Sequence, residues 1–263
     1  MMEAIQRFFR HSFLSYRALF GWLDPKVYLL VMVCMPLSQL LFFSFLVRHV
    51  YDGVDLAGYI GANALLLCVM NSVFGITSVI TSDRSMGTLQ LIMATPANKP
   101  AMFLARSLAH VANGLFTAFI GLLFGIFLFD ISITFEAAGA LALVWAVSIF
   151  SACGLGLIIG SFCLWTPSMH LLTNLLASIL LLLSGANYPQ AIMPQALQFT
   201  AQFIPLTRGV MLTKEIMNEG NFDRVPVYAA QEFLLGIVFF IICLGCIRFA
   251  AYQARVKGTM DLS

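Results

Sequence analysis

An all-α, polytopic membrane protein is the fold class this sequence predicts, and three observations predict it. Hydrophobic residues make up 60% of the 263 positions and charged residues only 10%, whereas an ordinary soluble domain has about 25% charged. The apolar residues gather into six runs, at about 27–47, 57–80, 107–129, 137–163, 170–188 and 229–247, each near the ~20 residues a helix needs to cross hydrocarbon. Lysine and arginine, 14 in all, are unevenly shared between the two sides those runs define. With the N-terminus inside, ten fall on the inner side (Arg7, Arg10, Arg17, Lys26, Arg84, Lys99, Arg106, Arg248, Arg255 and Lys257) and four on the outer (Arg48, Arg208, Lys214 and Arg224). That bias is the positive-inside signal. Six spans bring both termini to the cytoplasmic face of a plasma-membrane protein.

Residues 1–23 form the first unit. Ile5, Phe8, Phe9, Phe13, Tyr16 and Phe20 recur at helical spacing opposite Arg7, Arg10, His11 and Arg17, the pattern of an amphipathic helix lying in the headgroup region. Trp22 and Tyr28 flank its junction with the first span, where amphipathic rings prefer to sit. No basic end followed by a short apolar run and a small-residue cleavage site is present, so no removable signal peptide is expected. The helix either anchors the N-terminus or acts as a gate helix that relays motion from a cytoplasmic partner.

The six-span transmembrane domain occupies residues 24–250, with a tail at 251–263. Its first span has no charge, and Pro36 is expected to kink it. Between the second and third spans lies a cytoplasmic loop, residues 81–106. Ser82, Asp83 or Ser85 can cap a short helix there, carrying Met86, Leu89, Leu91, Ile92 and Met93 interleaved with Thr88 and Gln90. Pro96 stops that helix, because proline disfavours helical geometry in the residue before it. Asn98 can cap the restart, with Pro100 in its first turn. Between spans five and six, residues 188–228 are too polar to cross a membrane yet keep helical apolar spacing through Leu197, Phe199, Phe203, Ile204, Met211, Leu212, Ile216 and Met217. Pro189, Pro194, Pro205 and Pro226 punctuate them. Short helices dipping into the outer leaflet and capping the bundle are expected; a surface loop without a transport role is the alternative.

Several function classes are excluded or disfavoured. No G-x-x-x-x-G-K-[ST] loop occurs, so this chain is not expected to bind a nucleoside triphosphate in the usual way. No Asp, Glu, Lys or Arg falls at mid-membrane depth, and ion-coupled carriers keep their relays there; a secondary transporter is therefore disfavoured. Cys34, Cys68, Cys153, Cys163, Cys243 and Cys246 all fall in spans. Cys243 and Cys246 make a C-x-x-C, but a zinc site wants more ligands than two thiols on an apolar helix, so no metal is expected. An intramembrane enzyme would want paired acids or histidines, and Asp130 and Glu136 at one outer turn lack a companion. A non-transporting assembly or anchor protein stays open.

Neutral polar residues inside the spans mark a possible pathway: Ser38 and Gln39, Asn63, Asn71, Thr77 and Ser78, Asn113, and Thr173, Asn174 and Ser178. Such groups must face other helices or a wet cavity. They either pack the bundle or line a route for cargo. Gly121/Gly125 and Gly156/Gly160 are pairs that allow close helix contact.

The chain resembles the membrane subunit of the type-two family of ABC exporters. The resemblance rests on Met86-Gly87-Thr88-Leu89-Gln90 followed by Ala94-Thr95-Pro96, similar to the G-T-L-E, L-L-x-T-P run of that family's cytoplasmic loop, with Gln90 where an acid is usual. Ser184-Gly185 and Pro189 after the fifth span, then Pro194 and Pro205-Leu206-Thr207, extend it. It implies a half-transporter that pairs with a second permease subunit, identical or homologous, on two copies of a separate ATPase subunit that holds ATP and Mg. Met86, Gly87, Thr88, Leu89, Gln90, Ile92 and Met93 would then be the coupling segment. The substrate cavity would lie between subunits, largely between second and fifth spans, at Asn63, Asn71, Asn174 and Ser178, with Gln39 nearby. The cargo implied is an amphipathic small molecule, a peptide antibiotic or a lipid-linked glycan.

Overall fold

The computed structural model describes residues 24–51, 55–88, 99–162 and 169–257, together with Arg10, Leu14, Leu91, Ile92 and Thr95. Most of the N-terminal amphipathic stretch, Leu89, Gln90, Met93, Cys163 and the last residues of the tail lie outside the described residues.

Helix α1 (Pro25–Leu29) is capped by Asp24, whose carboxylate accepts from the Lys26 amide at 2.8 Å. It runs through a π-turn, Leu30–Cys34, into α2 (Met35–Val50). The π-turn has a local cause: Pro36 has no N–H to donate one turn back, and widening the preceding turn is how a helix absorbs that gap. Helix α3 (Ala57–Ser85) is the hub of the molecule, buried along nearly its whole length. Helix α4 (Lys99–Phe129) lies along one side of it and α5 (Phe135–Phe162) along another, while α9 (Val225–Lys257) packs against α5. Helix α6 (Met169–Leu183) leans on α3 through fewer contacts.

Small residues set these distances. Gly114 of α4 sits on the Cys68 carbonyl and Gly125 on Ile60, while Gly121 faces Leu40 of α2. Gly156 and Gly160 of α5 meet Val73, Ile76 and Ile80 of α3. Both glycine pairs noted in the sequence thus stand at helix contacts, where dispersion between closely approached backbones replaces the hydrophobic drive that lipid cannot supply. Between α5 and α9, Phe150 stacks on Phe233 and Phe240 at 5.2 and 4.8 Å. Such pairs contribute about 0.5–1.5 kcal/mol each beyond area burial.

Among the described residues four helices are long and apolar enough to cross a membrane: Ala57–Ser85, His110–Phe129, Phe135–Phe162 and Val225–Phe249; Met35–Val50 and Leu171–Leu183 are shorter apolar helices. Large side chains such as Phe116, Phe119, Phe127, Leu171, Leu234 and Ile241 point outward, more apolar surface than a soluble protein leaves uncovered. The described residues contain no strand. The chain is an all-α polytopic membrane protein.

Two boundaries differ from the sequence reading. The fifth run was expected to reach 188, but α6 stops at Leu183, because Gly185 turns to φ +68° and Ser184 caps the Ala186 amide. The second run was expected to end near 80; α3 continues to Ser85, so Ser82, Asp83 and Ser85 form its last turn instead of opening a new helix. The third helix begins at Lys99, the restart expected after Asn98, and carries on through the apolar run. Between α6 and α9, a 3-10 turn (Gln190–Ile192), α7 (Gln195–Ala201), α8 (Thr207–Lys214) and a π-turn (Glu215–Glu219) form the expected short helices. Helix α8 packs against α3, α5 and α9.

Candidate functional site

Helix α3 carries a candidate site at each end. At its C-terminal end Gly87 adopts φ +68° with open space around it. Its N–H returns to the Arg84 carbonyl at 3.0 Å and that of Met86 to Ser82 at 2.9 Å, the left-handed stop that favours glycine. Thr88, half-buried, donates its hydroxyl to the carbonyl and carboxylate of buried Asp83 at 3.2 and 3.3 Å. The chain is thereby turned and braced, and Met86 and Leu91 project with 67% and 70% of their surface exposed. Ile92 turns inward instead, half-buried against the main core. The exposure of Leu91 and the bracing of Thr88 by Asp83 follow from Gly87 ending α3.

The residues proposed to line a cavity are not gathered into one chamber within this chain. Asn63 is buried and donates its Nδ2 to the Tyr59 carbonyl of its own helix at 2.9 Å. Gln39 is exposed on α2. Asn71 is half-buried, its Nδ2 enclosed without a hydrogen-bond partner. It lies on the stripe of α3 that stays uncovered through Phe74 and Ser78. Asn174 and Ser178 lie on the exposed face of α6, the Ser178 hydroxyl returning to the Asn174 carbonyl at 2.9 Å. Ser38, Thr77 and Ser78 likewise bond carbonyls of their own helices, which satisfies hydroxyls where no water is present. The amides are therefore the side chains with capacity to spare.

At the N-terminal end of α3 the cap is tied down by charged groups. Lys214 of α8 reaches the Gly185 and Tyr188 carbonyls at 2.6 and 3.3 Å, its Nζ standing 3.7 Å over the Tyr59 ring. Burial pushes its pKa down to about 7, since an ammonium loses hydration there. Asn218 accepts from the Gly58 amide, and Trp145 of α5 donates to Thr213 at 3.2 Å. Glu232 of α9, only 2% exposed, accepts from the Leu206 amide at 2.8 Å and pairs with Arg208 at 3.6 Å. Leu206 itself is fully buried at φ +88°, a conformation costing roughly 1–3 kcal/mol in a non-glycine residue. Glu215 and Arg224 close the cap's far side at 3.1 Å. Sequence reading counted Arg208, Lys214 and Arg224 only as outer charges and passed over Glu232. The signal available was a lone acid two turns inside an otherwise apolar span.

Among the described residues no group of three or more His, Cys, Asp or Glu could hold a metal ion, and Cys34, Cys68, Cys153, Cys243 and Cys246 are free thiols.

Apolar helices thus pack around one central span, with Met86 and Leu91 exposed at one end of it and short tethered helices at the other. The family model of the ABC-2 type transporter matches residues 12–218, and the chain belongs to that family, as a permease subunit. A search among curated proteins returned no match.

Proposed function

We propose that the chain is the permease half of an ATP-driven exporter in the plasma membrane, with both termini cytoplasmic. A second permease subunit, identical or homologous, completes the membrane part. Two copies of a separate ATPase subunit, which hold the ATP and magnesium, supply the work. The observation that carries this reading is the C-terminal end of α3, where Gly87 and the Asp83–Thr88 brace leave Met86 and Leu91 exposed. Two bare apolar side chains on a braced turn suit an apolar groove on another protein. Leu89, Gln90, Ile92 and Met93 complete the segment.

The lever is α3. Its 29 residues span about 44 Å at 1.5 Å each. Its far end meets the cap through Asn218 and through Tyr59 beneath Lys214. A rigid helix joining both ends transmits a push on the loop to the cap. Closure of the ATPase dimer on ATP drives the loops together, α3 tilts, and the cap opens. The uncovered stripes of α3 and α6, with Asn71, Asn174 and Ser178 among apolar neighbours, line the inter-subunit route together with Gln39, while buried Asn63 packs α3 from within; the route suits an amphipathic small molecule, a peptide antibiotic or a lipid-linked glycan.

A photoreactive residue at position 91 tests this in native membranes. It is expected to capture an ATP-hydrolysing protein, while the same residue at position 199 in the cap captures none. Capture of the ATPase at 199 and not at 91 would overturn the reading.

A further inference from the structure

A cleft of about 350 Å³ opens between α7, the start of α8 and the outer end of α9. Its volume lies within the range of small-molecule sites, about 300–1,000 Å³. Gln190, Gln198, Gln202, Gln231, Arg208 and Tyr228 line it. Arg208 is the one permanently charged side chain among them, and Glu232 behind it balances that charge at 3.6 Å. The cleft therefore offers an ion no net counter-charge. It offers unused hydrogen-bonding capacity of both signs. Gln198 spends its Nε2 on the Met193 carbonyl at 2.7 Å, leaving its Oε1 to accept. Gln231 spends its Oε1 on Arg208 Nε at 3.2 Å, leaving its amide hydrogens to donate. Gln202 and Tyr228 engage no side-chain partner among the described residues, and the Thr207 hydroxyl, also in the wall, is buried and unpaired. A hydroxyl both donates and accepts, so a ring of amides with a phenol and a guanidinium matches a group bearing several hydroxyls.

The other face of α7 is apolar. Phe199 and Phe203 stand exposed with rings 5.2 Å apart, beside Gln198 and Gln202, which face the cleft. A polar slot beside a bare aromatic pair has the two-part character of an amphiphile.

We propose that this cleft is a binding site for the uncharged, hydroxyl-rich head group of an amphiphile whose apolar part lies against Phe199 and Phe203. It is separate from the inter-subunit route and rests on the cap facing the outer leaflet. Binding here needs neither ATP nor the ATPase, so failure of this site and failure of the exporter reading are scored apart.

Calorimetry on the chain in lipid nanodiscs tests it, with hexyl maltoside below its micelle concentration and hexyl phosphocholine as the charged-head counterpart. Hexyl maltoside is expected to bind at least about tenfold more tightly than hexyl phosphocholine. Gln202→Leu and Gln231→Leu are each expected to weaken it up to about tenfold, the effect of one lost hydrogen bond. Gln195→Leu, on α7 but outside the cleft, should leave it unchanged. Phe199→Ser should weaken hexyl maltoside and leave free maltose unaffected. Equal binding of the two head groups, or unchanged maltoside binding in both glutamine variants, overturns the proposal; insensitivity to Phe199→Ser overturns the placement of the apolar part.

Discussion

Replacing Glu232 with alanine should detach the cap from α9, and the size of the effect can be worked from its contacts. The carboxylate is buried, accepts from the Leu206 amide at 2.8 Å and faces Arg208 at 3.6 Å. Removing one partner of a buried ion pair costs about 3–5 kcal/mol. That figure includes the orphaned Leu206 N–H, which alone accounts for about 1–3 kcal/mol. The Arg208 side chain keeps 19% exposure and can recover some hydration, so the lower part of the range, about 3 kcal/mol, is expected. Glu232→Gln keeps an acceptor for Leu206 and loses only the charge, which should cost about 1 kcal/mol, the difference between charge-assisted and neutral hydrogen bonds. A double variant, Arg208→Met with Glu232→Leu, removes both charges and leaves the Leu206 amide as the main loss. It should therefore be less damaging than Glu232→Ala. Equilibrium unfolding in mixed detergent micelles measures all three. If the alanine and glutamine variants lose the same small amount, under about 0.5 kcal/mol as at an ordinary surface site, Glu232 is not a buried anchor and the reasoning fails.

Leu91→Arg should abolish association with the ATPase in co-purification, because seating an unpaired cation in an apolar groove costs several kcal/mol; undiminished recovery would contradict the coupling role. For Lys214 the pH dependence has a definite sign. Its folded pKa is lowered from 10.5 to about 7, so the unfolded chain holds the proton more tightly. Lys214 thus adds stability as pH rises from about 7 toward 10.5, and that contribution is lost as pH falls back through 7. Wild type should gain on Lys214→Met over that window, by at most about 1.4 kcal/mol per pH unit, and less because the Gly185 and Tyr188 carbonyls and the Tyr59 ring favour the charged form. A flat difference between the two proteins would contradict a lysine whose pKa is lowered by burial. Substituting leucine for Asn71 or Asn174 should change substrate-stimulated ATP hydrolysis more than basal hydrolysis; equal effects would assign both amides to packing.

The membrane character and the long helices were legible because α3, α4, α5 and α9 each contain an unbroken apolar run, a signal that depends on neighbours in sequence alone. The outer helices were legible for the same reason, their apolar spacing surviving within polar composition and bounded by Pro194 and Pro205. Boundaries were less so. Hydropathy carried the fifth run to 188, while the backbone stops it at Gly185 through a positive φ that no hydropathy average registers. The anchors of the cap were not legible. Gly58 meets Asn218 across 160 positions and Leu206 meets Glu232 across 26, pairings made by the fold and invisible to any local pattern. Within residues 86–92, which side chains project follows from the turn at Gly87, which leaves Leu91 exposed and Ile92 half-buried against the core.

The most direct test of the account is transport in sealed vesicles containing this chain with its ATPase subunit. Outward movement of an amphipathic cargo should require ATP and both subunits, persist after all ion gradients are collapsed, and disappear with Leu91→Arg while the chain remains folded. Transport by this polypeptide alone, driven by a proton or sodium gradient, would contradict it.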